Sequence, residues 1–81
     1  MTPLNKIKFS ELLTYLTNNY VFGLTGQKRK HTIIYSFSRF IYSKPLRLKV
    51  KVMRKTKYVM SVMCNGNTYT DFDDVKALIG K

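Results

Sequence analysis

The sequence has no tryptophan, one cysteine, one histidine, one alanine and only four acidic residues. Each scarcity excludes something. A single cysteine, Cys64, cannot close an internal disulfide, and a lone thiol suits a reducing compartment. Set in an apolar strand pattern beside a turn, Cys64 reads as a small core residue rather than a nucleophile. His31 follows Lys28, Arg29 and Lys30, where it adds to a basic patch and has no catalytic companion. Asp71, Asp73 and Asp74 crowd the start of a helical pattern, a position that accounts for them better than a metal site does. Gly23-Leu24-Thr25-Gly26 lacks both the spacing and the following Lys-Ser/Thr of a phosphate loop. The expectation is a protein that is not an enzyme, with no cofactor, no metal and no small-molecule substrate.

Long apolar runs are missing too. Nothing approaches the ~18 consecutive apolar residues that a membrane span needs, and the N-terminal residues do not form a secretory signal. A cytoplasmic location is expected, in a host's cytoplasm if the protein is viral. The lone alanine contrasts with abundant Lys, Ile, Tyr, Phe and Asn. Those residues have AT-rich codons, which points to the genome of an AT-rich bacterium, phage or parasite.

What is present is positive charge. The chain of 81 residues is short enough to be one domain, residues 1–81, with a modest core. It carries 15 Lys and Arg for a formal net charge of +11. The excess is concentrated in residues 21–57, which hold Lys28, Arg29, Lys30, Arg39, Lys44, Arg47, Lys49, Lys51, Arg54, Lys55 and Lys57 and no acid. A solvated surface normally interleaves both signs. A window that repels itself in this way is relieved by a polyanion, and polyphosphate is the usual one.

The pattern predicts an α+β fold, with an antiparallel sheet of three or four strands and an N-terminal and a short C-terminal helix covering one face. Residues 8–19 read as a helix with Ser10 as N-cap and Leu12, Leu13, Leu16, Tyr20 and Phe9 along one stripe. Residues 23–30 read as a loop with two glycines and a basic triplet. Residues 31–42 fit a strand, with Ile33, Tyr35 and Phe37 on one face, and also a helical stripe through Ile33, Phe37, Phe40 and Ile41; their β-branched and aromatic content favours the strand. The cleanest pattern is Leu46, Leu48, Val50 and Val52 alternating with Arg47, Lys49 and Lys51, a half-buried strand with a basic outer face.

Residues 53–57 form a loop, 58–64 a strand, Asn65-Gly66 a type I′ turn and 67–70 a third strand. Setting Val52 opposite Tyr58 makes every inward pair apolar and puts Ser61, Thr68 and Thr70 outward with Val59 and Met63. On this reading Tyr58 and Tyr69 point inward and no aromatic lies on the outer face, which leaves single-strand binding through stacked aromatics without a platform there. Asp71 caps a final helix with Phe72, Val75, Leu78 and Ile79 on its apolar face, stopped by Gly80. The expected core is Leu12, Leu16, Leu48, Val50, Val62, Tyr69, Val75 and Leu78.

Alternate residues on a strand stand ~6.6–6.8 Å apart, close to the spacing of phosphates along a nucleic-acid strand. The expected site is therefore Arg47, Lys49 and Lys51, supported by the loops of Lys28, Arg29 and Lys30 and of Arg54, Lys55 and Lys57 wherever these share a rim. The expected partner is nucleic acid, with duplex DNA ahead of RNA. The order of three strands then a helix over the last forty residues resembles the integrase arm-binding DNA domains, which implies a sheet laid on duplex DNA. The helix–sheet–helix order also resembles double-stranded RNA-binding domains, but Asp71, Asp73 and Asp74 stand where that family presents lysines to phosphate. The alternative function is a small regulator, such as a phage-encoded inhibitor, binding an acidic surface of a host protein; outward Val59 and Met63 beside the lysines would suit it. A peripheral lipid contact is disfavoured because neither helix has a basic amphipathic face.

Overall fold

Leu12 and Leu16 lie one helical turn apart and both are buried, which fixes the face that helix α1, Phe9–Asn18, turns toward the sheet. The structure, a computed structural model, describes residues 1–39 and 46–80. A single 3₁₀ turn, Leu4–Lys6, precedes α1. Five strands follow: β1 Phe22–Lys28, β2 Thr32–Arg39, β3 Leu46–Met53, β4 Val59–Cys64 and β5 Asn67–Tyr69. Helix α2, Phe72–Ile79, ends the described chain. Each strand pairs antiparallel with the next, so the sheet is a meander in the order β1-β2-β3-β4-β5. The expected α+β class and the two helices are present. The sheet is larger than the three or four strands expected.

The added strand is β1, read from the sequence as a loop because of Gly23 and Gly26. Neither glycine makes a turn. A Cβ on Gly23 would come within 3.2 Å of the Phe37 ring, and one on Gly26 within 3.2 Å of the Tyr35 ring. The glycines are bare so that β1 can lie over aromatic side chains of β2, the meaning that a strand-interior glycine often has. A bulge between Gly23 and Thr25 restores the pairing. Residues 32–39 are a strand, as their β-branched and aromatic content favours; 40–42 lie outside the described residues.

Leu48, Val50 and Val52 of β3 are buried in one cluster with Phe37 of β2, Val59, Val62 and Cys64 of β4, Leu12 and Leu16 of α1, and Val75 and Ile79 of α2. Both helices therefore cover the same face of the sheet. Phe9 at the start of α1 stacks on Tyr35, with ring centroids 4.3 Å apart. Tyr69 and Leu78, expected in the core, are half-buried at its edge, and Ile79 takes the buried place on α2. Tyr20, expected on the stripe of α1, lies past the helix end with φ of 63° and is exposed. Leu13 is exposed as well.

Two local expectations are corrected. The N-cap of α1 is Lys8, with no side-chain cap, and Ser10 lies inside the first turn. Backbone pairing decides this: the Val59 amide donates to the Ile7 carbonyl at 2.9 Å and the Phe9 amide to the Lys57 carbonyl at 2.8 Å, so Ile7 and Lys8 are held extended. The register of β3 with β4 is also two residues from the one expected. Val50 faces Val62, and a bulge after Lys51 sets Val52 opposite Val59. Val59 is thereby fully buried, while Tyr58 and Met60 are exposed. The Asn65-Gly66 turn holds as expected, with φ of 52° and 80°, and pairs Val62 with Tyr69, Met63 with Thr68 and Cys64 with Asn67.

At α2 the Asp71 carboxylate accepts from the Asp73 amide at 3.0 Å and from the Thr2 amide at 3.1 Å, fastening the N-terminal segment to the helix start. The Met1 ammonium pairs with Asp73 at 3.1 Å, and its pKa is raised by that hydrogen bond and charge. Gly80 ends α2 in a right-handed conformation, not the left-handed one a glycine stop commonly takes.

Strand β3 is two-faced, and paired variants test that. Leu48→Ala should lower unfolding free energy by about 2–5 kcal/mol in urea denaturation, whereas Lys49→Ala on the next residue should stay within about 0.5 kcal/mol of wild type. Gly66→Ala should cost roughly 1–2 kcal/mol, because its φ is left-handed although nothing crowds the position.

Candidate nucleic-acid interface

Residues paired directly across antiparallel strands share a face. The face opposite the helices can therefore be read in rows. Phe22, Ser38 and Arg47 form one row across β1, β2 and β3. Thr25, Ser36, Lys49, Met63 and Thr68 form the next across all five strands. Gln27, Ile34, Lys51 and Ser61 form the third. Arg47, Lys49 and Lys51 thus stand in file down the middle strand, all on one side, with Ser38, Ser36 and Ile34 on one hand and Met63 and Ser61 on the other. Arg47 and Lys49 are exposed, and Lys51 is half-buried among its neighbours.

No strand contains an acidic residue. Glu11 lies on α1, Asp71 caps α2, and Asp73 and Asp74 are in its first turn. All four acidic side chains therefore belong to the helical layer. Among the described residues, Arg47, Lys49 and Lys51 meet no carboxylate.

The two basic loops come together at one end of this file. The Arg54 amide donates to the His31 carbonyl at 3.0 Å, and the Arg54 guanidinium donates to the Arg29 carbonyl at 3.1 Å. These bonds place Arg29, Lys30 and His31 beside Arg54 and Lys55, with Met53 in the depression between them. Lys51 is two residues from Met53 on β3, so the file runs into this rim. Lys28 is the last residue of β1, paired with Ile33, and so belongs to a strand end and not to the loop expected. Lys57 closes the β3–β4 turn with φ of 69°, held there by its amide N–H, which donates to the Met53 carbonyl at 2.9 Å, and by the Phe9 amide, which donates to the Lys57 carbonyl. Lys8 lies 5.7 Å from the centroid of the Tyr58 ring, next to this turn.

Not every cation of the central window joins the face. Arg39 points to the core side, is nearly buried, and donates to the Ile79 carbonyl at the C-terminus of α2 at 2.9 Å. It complements the negative end of that helix and locks β2 to it. Lys44 lies outside the described residues.

At the other end of the file, Ser36, Ser38, Arg47, Lys49, Met63 and Asn65 surround an open depression of about 700 Å³. Cys64 borders it but is itself buried, and burial raises the pKa of its thiol, which keeps it protonated at neutral pH. Among the described residues, no three His, Cys, Asp or Glu side chains cluster in a way that would hold a metal ion, and no helix is long and apolar enough to cross a membrane. The residues that sequence reasoning missed are Phe22, Thr25 and Gln27 of β1 and Ile34, Ser36 and Ser38 of β2. Recognising β1 required knowing that Gly23 and Gly26 face aromatic rings. Comparison with family models, with curated proteins and with solved structures returned no match.

Three like charges ~6.6–6.8 Å apart lie within one Debye length at ordinary ionic strength. Raising salt from about 0.1 M to about 1 M shortens that length from about 10 Å to about 3 Å. Thermal unfolding of the free protein should therefore move to higher temperature as NaCl is raised. The rise should be smaller in the variant carrying Arg47→Ala, Lys49→Ala and Lys51→Ala. A melting temperature independent of salt in the wild type would mean that the file is not under repulsion.

Proposed function

We propose that this protein is a non-enzymatic nucleic-acid-binding domain that lays its open sheet face along a polyphosphate backbone. The observation that carries this reading is the single-sided file of Arg47, Lys49 and Lys51, running into a rim where Arg54 ties two basic loops together, on a face without any acid. Alternate residues on a strand match a phosphate repeat closely enough for consecutive cations to meet consecutive phosphates. Arg29, Lys30, Arg54, Lys55 and Lys57 extend the contact beyond the strand, whereas Lys28, level with Ile33 and Val52, stands on the helical side of β1. Ser36, Ser61 and Thr68 flank the file and offer hydroxyls to phosphate or sugar oxygens. The charge and the sheet alone suit duplex DNA first and RNA second.

A second reading has an observation of its own. Ile34 and Met63 stand on the same face, half-buried between the cations. Apolar side chains among cations also fit an acidic protein surface, as for a small phage-type regulator of a host enzyme. Val59, expected to join that surface, is in the core and gives it no support.

A titration against duplex DNA, single-stranded DNA and structured RNA over a range of salt separates the two. Engagement of six phosphates gives a log–log salt slope near about −5 on duplex DNA. The triple variant with Arg47→Ala, Lys49→Ala and Lys51→Ala should bind more weakly and lose about 2 to 3 units of that slope. Lys76→Ala, on α2 in the opposite layer, should leave binding unchanged. Binding no tighter than that of a generic basic protein, or a triple variant equal to wild type, would overturn the proposal and favour the protein partner.

A further inference from the structure

The file of cations accounts for phosphate but leaves the first row of the face unexplained. Phe22 stands in that row with Ser38 and Arg47, and 52% of its surface is open to solvent. Its chain neighbour Val21 is fully buried, and Gly23 closes on the Phe37 ring, so the alternation of the strand holds the Phe22 ring on the outer side. Phe9, Tyr35 and Phe37 are engaged with one another on the helical side. Phe22 is thus an aromatic ring presented on a cationic, acid-free surface, at the border of β1.

The surroundings fit one occupant. Strands β1 and β3 are two spacings apart, roughly 9–10 Å, so a ring on Phe22 and anions on Arg47 and Lys49 belong to one nucleotide or to neighbours on a strand. Ser38, nearly buried, lies between Phe22 and Arg47 as a floor. The adjoining depression is within the size range of small-molecule sites, ~300–1,000 Å³. A base inside a duplex is covered above and below by its neighbours and offers no open face to a phenyl ring; an unpaired base does.

We infer that Phe22 is a stacking platform for an unpaired base, with the adjacent phosphates on Arg47 and Lys49. The ligand class is then a single-stranded polynucleotide, or a single-stranded stretch of a structured one, in preference to uniform duplex. This rests on the backbone-binding proposal above and adds the base to it. It also departs from the sequence expectation, in which the outer face of the three-stranded sheet over residues 46–70 carried no aromatic.

The test compares an oligothymidylate, an oligouridylate, the same deoxyribose-phosphate strand without bases, and a duplex of equal length at one salt concentration. Wild type should bind both base-bearing strands more tightly than the duplex or the abasic strand. Phe22→Ala should weaken binding to the base-bearing strands roughly 5- to 100-fold, leave duplex and abasic binding unchanged, and leave the salt slope unchanged. Phe22→Tyr should restore the loss, which separates stacking from a folding defect, and the abasic strand tests the same contact with wild-type protein alone. The two base-bearing strands separate DNA from RNA as the source of the base. Equal affinity for base-bearing and abasic strands, with Phe22→Ala matching wild type, would overturn the platform while leaving the backbone reading intact. Loss of salt-dependent binding to every strand would overturn both.

Discussion

Strand β3 has to satisfy two solvents at once. Its pleat sends Leu48, Val50 and Val52 into a core shared with both helices, and by the same geometry sends Arg47, Lys49 and Lys51 the other way. A one-residue slip would bury three cations and expose three aliphatic side chains, so the register is held by every apolar contact on the inner side. The strand is also central, with β2 on one side and β4 on the other. The positions of all the other outer side chains follow from it, because they are fixed by pairing, directly or through one more strand, to a cation of β3.

Much of this was legible in the chain. The alternation over residues 46–52, the Asn65-Gly66 turn, the Asp71 cap and the Leu12–Leu16 pair of α1 are local signals whose physics is complete within a few residues. The rest needed tertiary information. The glycines of β1 read as breakers because the rings they accommodate, Phe37 and Tyr35, are more than eight residues away in sequence. The register of β3 with β4 was misread because a bulge after Lys51 and a left-handed Lys57 reset the pairing, and nothing local announces a non-glycine residue in that conformation. Lys8 displaced Ser10 as the cap because strand pairing by Ile7 and Phe9 outweighs a side-chain hydrogen bond.

The candidate site divides in the same way. Arg47, Lys49 and Lys51 were legible because period two is visible in a sequence. That the 28–30 and 54–57 segments share a rim was a condition the sequence left open; the structure brings Arg29 and Lys30 beside Arg54 and Lys55, while Lys28 pairs with Ile33 on the helical side and Lys57 is held against Met53 and Phe9. Arg39 shows why charge alone misleads: it lies in the same basic window but serves the end of α2. Phe22 was invisible as a surface residue until β1 joined the sheet.

The separation of signs between the layers has one more effect. With all four acidic side chains on the helical layer and a file of cations on the sheet, the molecule is an electric dipole as well as a net cation. In the non-uniform field around a polyanion such a body feels a torque before it makes contact. If the proposed ligand is the partner, the protein arrives already turned, sheet foremost, and fewer of its encounters are wasted on the wrong side.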